Sequence, residues 1–225
     1  MKNLIKRAFD IAFSAASLLV LAPVLVPVAV ILRLTGEGKV LYAQERLGRG
    51  GRTFRMLKFA TMLENSPNLP GGDITVAYDP RVLPVGRFLR KTKINELPQL
   101  INILLGDMSV IGPRPLTPRV AAYCPQSFWE EIAELRPGLS GVGSIVFRDE
   151  EVLLRGATDR EVVYRRLIAP YKMALERWYL GHLGFVTDMK LILLTVLVVV
   201  FRRFPYQRWL EDLPPPPPEM QQSGA

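Results

Sequence analysis

The sequence predicts an α+β fold that is mostly helical, built from an N-terminal re-entrant membrane helix hairpin, a small β-hairpin and interfacial amphipathic helices. Three observations predict it. A long apolar segment near the start is interrupted by two prolines. Two β-rich runs flank a glycine cluster. Apolar residues then recur at helical spacing through much of the remaining chain.

The apolar segment comes first. Residues 9–32 carry a single charge, Asp10, and exceed the ~20 residues that cross a bilayer. Pro23 and Pro27 each remove a backbone donor and clash with the preceding turn, which predicts a break or kink. Both flanks are basic: Lys2, Lys6 and Arg7 before, Arg33, Lys39, Arg46, Arg49 and Arg52 after. The positive-inside rule therefore favours neither orientation of a span. A helix–break–helix that enters and leaves on one face satisfies both observations. Backbone groups freed at the break need partners, and Ser14 and Ser17 lie too far upstream to supply them.

Residues 40–45 and 53–59 read as strands around Gly48-Arg49-Gly50-Gly51. The glycines read as a hairpin turn rather than a phosphate cradle, since no Walker spacing accompanies them.

Residues 91–115 are the most informative. Leu97, Leu100, Ile101, Ile103 and Leu104 recur at helical spacing, Asn95 suits an N-cap, and Pro98 falls in the first turn. Asn95 and Glu96 then stand at a helix N-terminus, where backbone N–H groups favour phosphate. Arg90, Lys91 and Lys93 lie just upstream to hold the anion. Glu96 could hold Mg²⁺ together with substrate phosphates. The simpler reading, a cap at Asn95 and a dipole partner at Glu96, stands beside it.

Ser127 with Glu130 has capping-box spacing and predicts a helix that stops at Pro137-Gly138. Thr158 with Glu161 repeats the signal for a helix running to about Tyr179, kinked at Pro170. Thr187 and Asp188 suit a helix start and Arg202-Arg203 its end. The apolar core of that helix, residues 191–200, is too short to cross a membrane and reads as interfacial or packed on the domain. Pro214 to Pro218 predict an extended or disordered tail. The organisation is a re-entrant helix at 1–35, a cytosolic catalytic domain at 36–186, an interfacial helix at 187–204 and a Pro-rich tail at 205–225.

The net charge of +8, on a chain with mean hydropathy +0.17, suits an anionic membrane surface or phosphorylated substrates. Nucleic acid is excluded as a partner: no recognition helix, stacking aromatics or uninterrupted basic stripe is visible. Cys124 and His182 are the only residues of their kinds, so neither a disulfide nor a zinc site forms. No nucleophile motif lies near His182, which reads as structural.

At these residues the chain resembles the bacterial sugar transferases, monotopic polyprenol-phosphate phosphoglycosyltransferases. The markers run from Lys6 to about Arg203. They are Lys6-Arg7-Ala8-Phe9-Asp10, the proline-broken segment, Gln44-Glu45-Arg46-Leu47-Gly48, Lys58-Phe59 with Thr61-Met62, Asp79-Pro80-Arg81, Glu96-Leu97-Pro98-Gln99-Leu100, Gly106-Asp107-Met108-Ser109 and Gly112-Pro113-Arg114-Pro115. The resemblance implies a Mg²⁺-dependent transfer of a sugar-1-phosphate from a UDP-sugar to polyprenyl phosphate. It places the protein at the cytosolic face of the bacterial inner membrane, in contact with membrane lipid, and a homodimer is compatible with it. The products would begin O-antigen, capsule, exopolysaccharide or glycoprotein glycans.

Carried onto this chain, the resemblance implies catalytic roles for Lys58, Asn95 and Glu96. It implies substrate contacts from Arg114, Asp79, Arg81, Arg90 and Arg148, and a metal held by Glu96 and Asp107. Two departures stand out. The family typically has Asp-Glu where this chain has Asn95-Glu96, and Lys-Phe-Arg where it has Lys58-Phe59-Ala60. In the family the Asp attacks the β-phosphate, which a neutral amide cannot do. Three routes remain: Glu96 attacks while Asp107 or Asp149 holds the metal, the lipid phosphate attacks directly, or the protein is a non-turnover scaffold of a glycan-assembly pathway.

Overall fold

The computed structural model describes residues 2–69, 79–148, 150, 160–201 and 204–222. It is mostly helical with two small sheets and one long apolar helix. That helix, α1 (Lys2–Leu34), runs unbroken through Pro23 and Pro27. No non-helical residue interrupts it, although each proline leaves one ladder hydrogen bond unmade. Ser14 returns its hydroxyl to the Asp10 carbonyl, well away from the prolines.

α1 is fastened at both ends. Near its start Arg7 donates to the carbonyls of Ile103 and Leu104, and Asp10 is buried as the acceptor for Ser109 Oγ and Val110 N, both at 3.0 Å. Near its end Leu32 is buried in a cluster with Phe59 and Leu89. Leu19, Val20 and Val26 between them face outward.

Strands β1 (Leu41–Leu47) and β2 (Thr53–Phe59) form the expected hairpin, with Leu41 opposite Phe59 and Leu47 opposite Thr53. Helix α2 (Pro84–Lys91) follows, starting at a proline that needs no donor partner there. The helix expected from Asn95 is two pieces. A 3₁₀ turn, Ile94–Glu96, precedes α3 (Gln99–Leu105), so Asn95 is not its cap. Pro98 is the residue that leads into α3, because its fixed φ already matches the helix.

Strand β3 (Ser109–Ile111) pairs in parallel with β4 (Gly138–Ser140), a pairing too short to leave a periodic signal. Between them lie α4 (Pro118–Ala121) and α5 (Gln126–Ile132). α5 begins after Pro125, so Ser127 sits inside the helix and caps nothing. The short α6 (Val142–Val146) follows β4. The long helical stretch begins at Arg160 among the described residues, and its expected start at Thr158 lies outside them. It widens to a π turn at Tyr164–Ile168 and continues as α7 (Ala169–Gly181). The widening falls just before Pro170, where the regular hydrogen-bond ladder loses a donor.

Helix α8 (Phe185–Val200) buries Leu191, Leu194 and Val198 and leaves Leu193, Val196 and Val200 outward. Its expected end at Arg202-Arg203 lies outside the described residues. Described residues of the proline-rich tail contact the domain. Leu210 is buried, Trp178 Nε1 donates to the Glu211 carbonyl at 2.9 Å, and Tyr171 Oη donates to the Pro214 carbonyl at 2.8 Å. A proline run makes no internal hydrogen bonds, so its carbonyls are open to such side-chain donors.

Candidate active site

One cleft of about 1330 Å³ gathers most of the residues singled out from the sequence: Lys58, Asn95, Glu96, Arg90, Arg114, Arg148 and Asp79. The hairpin, the 3₁₀ turn, the loop after β3, Ser144 of α6 and Arg148 just after it supply its polar parts. Ile192, Val196 and Val199 of α8 make an apolar wall.

Lys58 lies on β2, opposite Tyr42 of β1. Asn95 and Glu96 are presented by the 3₁₀ turn, entered through Lys93 in the left-handed region (φ 61°). A non-glycine residue held there costs on the order of 1 kcal/mol, which the surrounding packing must offset. Arg114 belongs to the loop Gly112-Pro113-Arg114-Pro115. Gly112 N donates to Ser140 O at 3.1 Å and Gly138 N to Pro113 O at 2.8 Å. A Cβ at Gly112 would stand 2.3 Å from the Arg136 carbonyl, so only glycine permits this approach. From the hairpin, Arg46 donates to the Pro115 carbonyl at 3.1 Å and holds the other side of the loop.

The electrostatics centre on Glu96. Burial favours its neutral form, but Lys58, Arg114, Lys93 and Arg90 outweigh that and hold the carboxyl below its ordinary value. Lys58 is lowered to about 7, first by burial and then by Arg46, Arg114 and Arg90, with Glu96 opposing. Desolvation works against the Arg114 charge, yet Glu96, Glu150, Tyr164 and Glu176 raise its pKa. The result is an ionised carboxylate in a cationic surround, suited to a diphosphate. Asn95 is buried and its Oδ1 has no hydrogen-bond partner among the described residues, an open acceptor beside Glu96. Arg148 Nη2 donates to the Val199 carbonyl at 3.1 Å, while its buried Nη1 is unpartnered.

Three expected ligands are placed differently. Asp79 and Arg81 are buried and paired with each other, Arg81 Nη2 to Asp79 Oδ2 at 2.6 Å, and Arg81 Nη1 also reaches the Ser66 carbonyl. Asp79 borders the cleft and Arg81 does not. Asp107 lies past the far end of α3 and accepts from Asn102 Nδ2 at 3.1 Å. It does not line the cleft that Glu96 lines. Asp149 lies outside the described residues.

Sequence reasoning missed a second layer below Arg114. Lys172 on α7 is buried, bonded to both oxygens of Glu150 at 2.8 Å, and lies over the Phe147 and Tyr164 rings. Glu176, one turn on, is also buried. The signal was available: both charges fall on the same helix face as Ile168, Leu175 and Tyr179. His182 is exposed and stacked on Trp178, with Nδ1 2.8 Å from the Trp178 carbonyl oxygen.

With the geometry in place, comparison with known proteins is direct. A family model described as bacterial sugar transferase matches residues 1–202. The chain is 37% identical to the exopolysaccharide production protein PSS of Rhizobium leguminosarum bv. phaseoli, over 88% of this chain and 96% of that protein. It is 36% identical to the UDP-glucose:undecaprenyl-phosphate glucose-1-phosphate transferase of Caulobacter vibrioides, over 86% of this chain and 69% of that one. It is 37% identical to the undecaprenyl-phosphate glucose phosphotransferase of Komagataeibacter xylinus, over 88% of this chain but only 36% of that longer protein.

Proposed function

Because the chain belongs to the bacterial sugar transferase family, we propose that it moves a sugar-1-phosphate from a UDP-sugar to undecaprenyl phosphate. The observation that carries this reading is Glu96, held ionised by four cations in a cleft whose other wall is apolar. Such a site accommodates a nucleoside diphosphate at one end and the phosphate of a lipid at the other. The relatives' names support turnover over the scaffold reading.

In the step proposed, a phosphate oxygen of the lipid forms a bond to the β-phosphorus of the donor. The bond from that phosphorus to the oxygen bridging the α-phosphate breaks, and UMP leaves with the electron pair. Lys58 and Arg114 neutralise charge on the phosphoryl oxygens as it redistributes. The Glu96 carboxylate and Asn95 Oδ1 are hard oxygen donors that would hold Mg²⁺ beside substrate phosphates. That ion, when bound, offsets diphosphate charge.

Direct attack by the lipid is favoured over attack by Glu96. Glu150 is bound to Lys172, Glu64 to Lys39, and Asp79 to Arg81. Among the described residues no cluster of three acidic, His or Cys ligands replaces Glu96 as a metal site.

Re-entry of α1 from the cytosolic face is part of the same reading. At 33 residues the helix is about 50 Å long, well over the ~30 Å hydrocarbon core. Residues near both of its ends pack on one domain, whereas a straight span would carry one end away from it. The outward apolar residues of α8 would then lie at the same interface.

The test is release of nucleoside monophosphate by nanodisc-reconstituted protein given undecaprenyl phosphate, Mg²⁺ and a panel of UDP-sugars. Lipid-dependent release with one donor is expected. No release across the panel, from folded protein, would refute the reading.

A further inference from the structure

Beneath the cleft, the Glu176 side chain rises from α7 toward the loop that carries Arg114. It is 5% exposed, and Oε1 accepts a hydrogen bond from the Arg114 backbone N–H at 3.3 Å. On the other side it presses on α6, where a Cβ at Gly143 would stand 2.9 Å from Oε1. Gly143 is thus the gap through which the carboxyl reaches the loop. Oε2 is buried without a hydrogen-bond partner among the described residues. The charged groups facing it are Lys172, one turn away on α7, and Arg114 itself.

From this arrangement, and resting on the function proposed above, we infer that Glu176 is a positioning residue that fixes the Arg114 loop in the shape that delivers the guanidinium to the reacting phosphates. The loop has few other means of holding its register. Pro113 and Pro115 flank Arg114 and donate nothing, so the Arg114 amide is the one backbone donor in that stretch. Arg46 grips the following carbonyl and β4 the preceding one. Glu176 completes the hold at Arg114 itself.

Burial pushes the Glu176 carboxyl up to about 7, with the Arg114 N–H, Lys172 and the Arg114 charge opposing. A substantial fraction is neutral at physiological pH, so glutamine is a close mimic: it keeps the acceptor and the shape. Leucine keeps the bulk and removes the acceptor.

Hydrogen exchange of the Arg114 amide reads the contact without any need for turnover, because a peptide spanning residues 113–115 has no other backbone amide from those positions. Glu176→Leu should speed that exchange on the order of 10-fold or more, and Glu176→Gln should leave it within about 3-fold. In the transferase assay Glu176→Leu should lower kcat roughly 30-fold with donor KM within about 3-fold, and Glu176→Gln should restore it. In an Arg114→Lys background, Glu176→Leu should cost under about 3-fold more, because the two act through one loop.

Should Glu176→Leu not fold, Gly143→Ala displaces the same carboxyl and should show the same faster exchange and lower kcat. Equal losses in both Arg114 backgrounds, or exchange unchanged in folded Glu176→Leu or Gly143→Ala, would overturn the inference. So would faster exchange with unaltered kcat. If the wild-type protein turns over no donor, the proposed function fails, and so does delivery of Arg114 to reacting phosphates, while the exchange result alone decides whether Glu176 holds the loop.

Discussion

Asp10 and Ser109 meet inside the protein, the Asp10 carboxylate accepting from the Ser109 hydroxyl at 3.0 Å while Asp10 is 1% exposed. The sole charge of the apolar segment is therefore an anchor that ties α1 to β3, with Val110 N as its second donor. Replacing Asp10 with alanine strands two buried donors. A loss of roughly 2–4 kcal/mol in stability is expected, read as a lower denaturation midpoint in detergent. Asp10→Asn, which can still accept, should lose less. An unchanged midpoint for Asp10→Ala would mean that α1 is held by its apolar contacts alone.

The topology of α1 can be checked chemically. With Cys124→Ser as background, single cysteines at Leu4 and Thr35 should both react with an impermeant thiol reagent only from the cytosolic side. Both positions flank the apolar run, and Leu4 is exposed. Labelling of the two from opposite sides would establish a span instead.

Lys58 gives a pH signature in which activity and stability move in opposite directions. Its folded pKa of about 7 lies below the ordinary 10.5, so the folded state carries fewer protons than the unfolded chain between those values. Stability from this group should rise as pH increases from about 7 to about 10.5, because the penalty of a buried charge is relieved. Activity should fall over the same window as the cation is lost, with kcat/KM showing an alkaline limb starting near 7. Lys58→Met should be more stable and at least about 100-fold less active. Retention of the alkaline limb in a residually active Lys58 variant would assign it to another group.

Much of this was legible in the sequence, and the reasons differ by element. The hairpin was readable because β-rich runs and a glycine turn are local signals. Lys58, Asn95, Glu96 and Arg114 were readable as a set because their motifs resemble one family. The continuity of α1 was not, because a proline weakens a helix locally while packing at both ends can keep the residues around it helical. The β3–β4 pair, Lys172 and Glu176 depend on contacts between residues distant in sequence. Asp107 was misplaced because a motif preserves spacing along the chain and says nothing of which end of α3 faces the cleft.

Asn95 is the departure with the clearest consequence. Asn95→Asp would place a second carboxylate beside Glu96, and the like charge should raise both pKa values. It would also supply the nucleophile that the resemblance implies. After reaction with a donor labelled in the β-phosphate, denatured Asn95→Asp protein should retain label. If it retains none, position 95 does not face the β-phosphorus.

The most direct measurement is a single turnover of the wild-type protein with that β-labelled donor, quenched in denaturant, with and without undecaprenyl phosphate. Direct attack by the lipid predicts label in the lipid fraction only when the lipid is present, and none on the protein in either case. Label on the protein in the absence of lipid would contradict the account and make a side chain of this cleft, Glu96 first, the nucleophile.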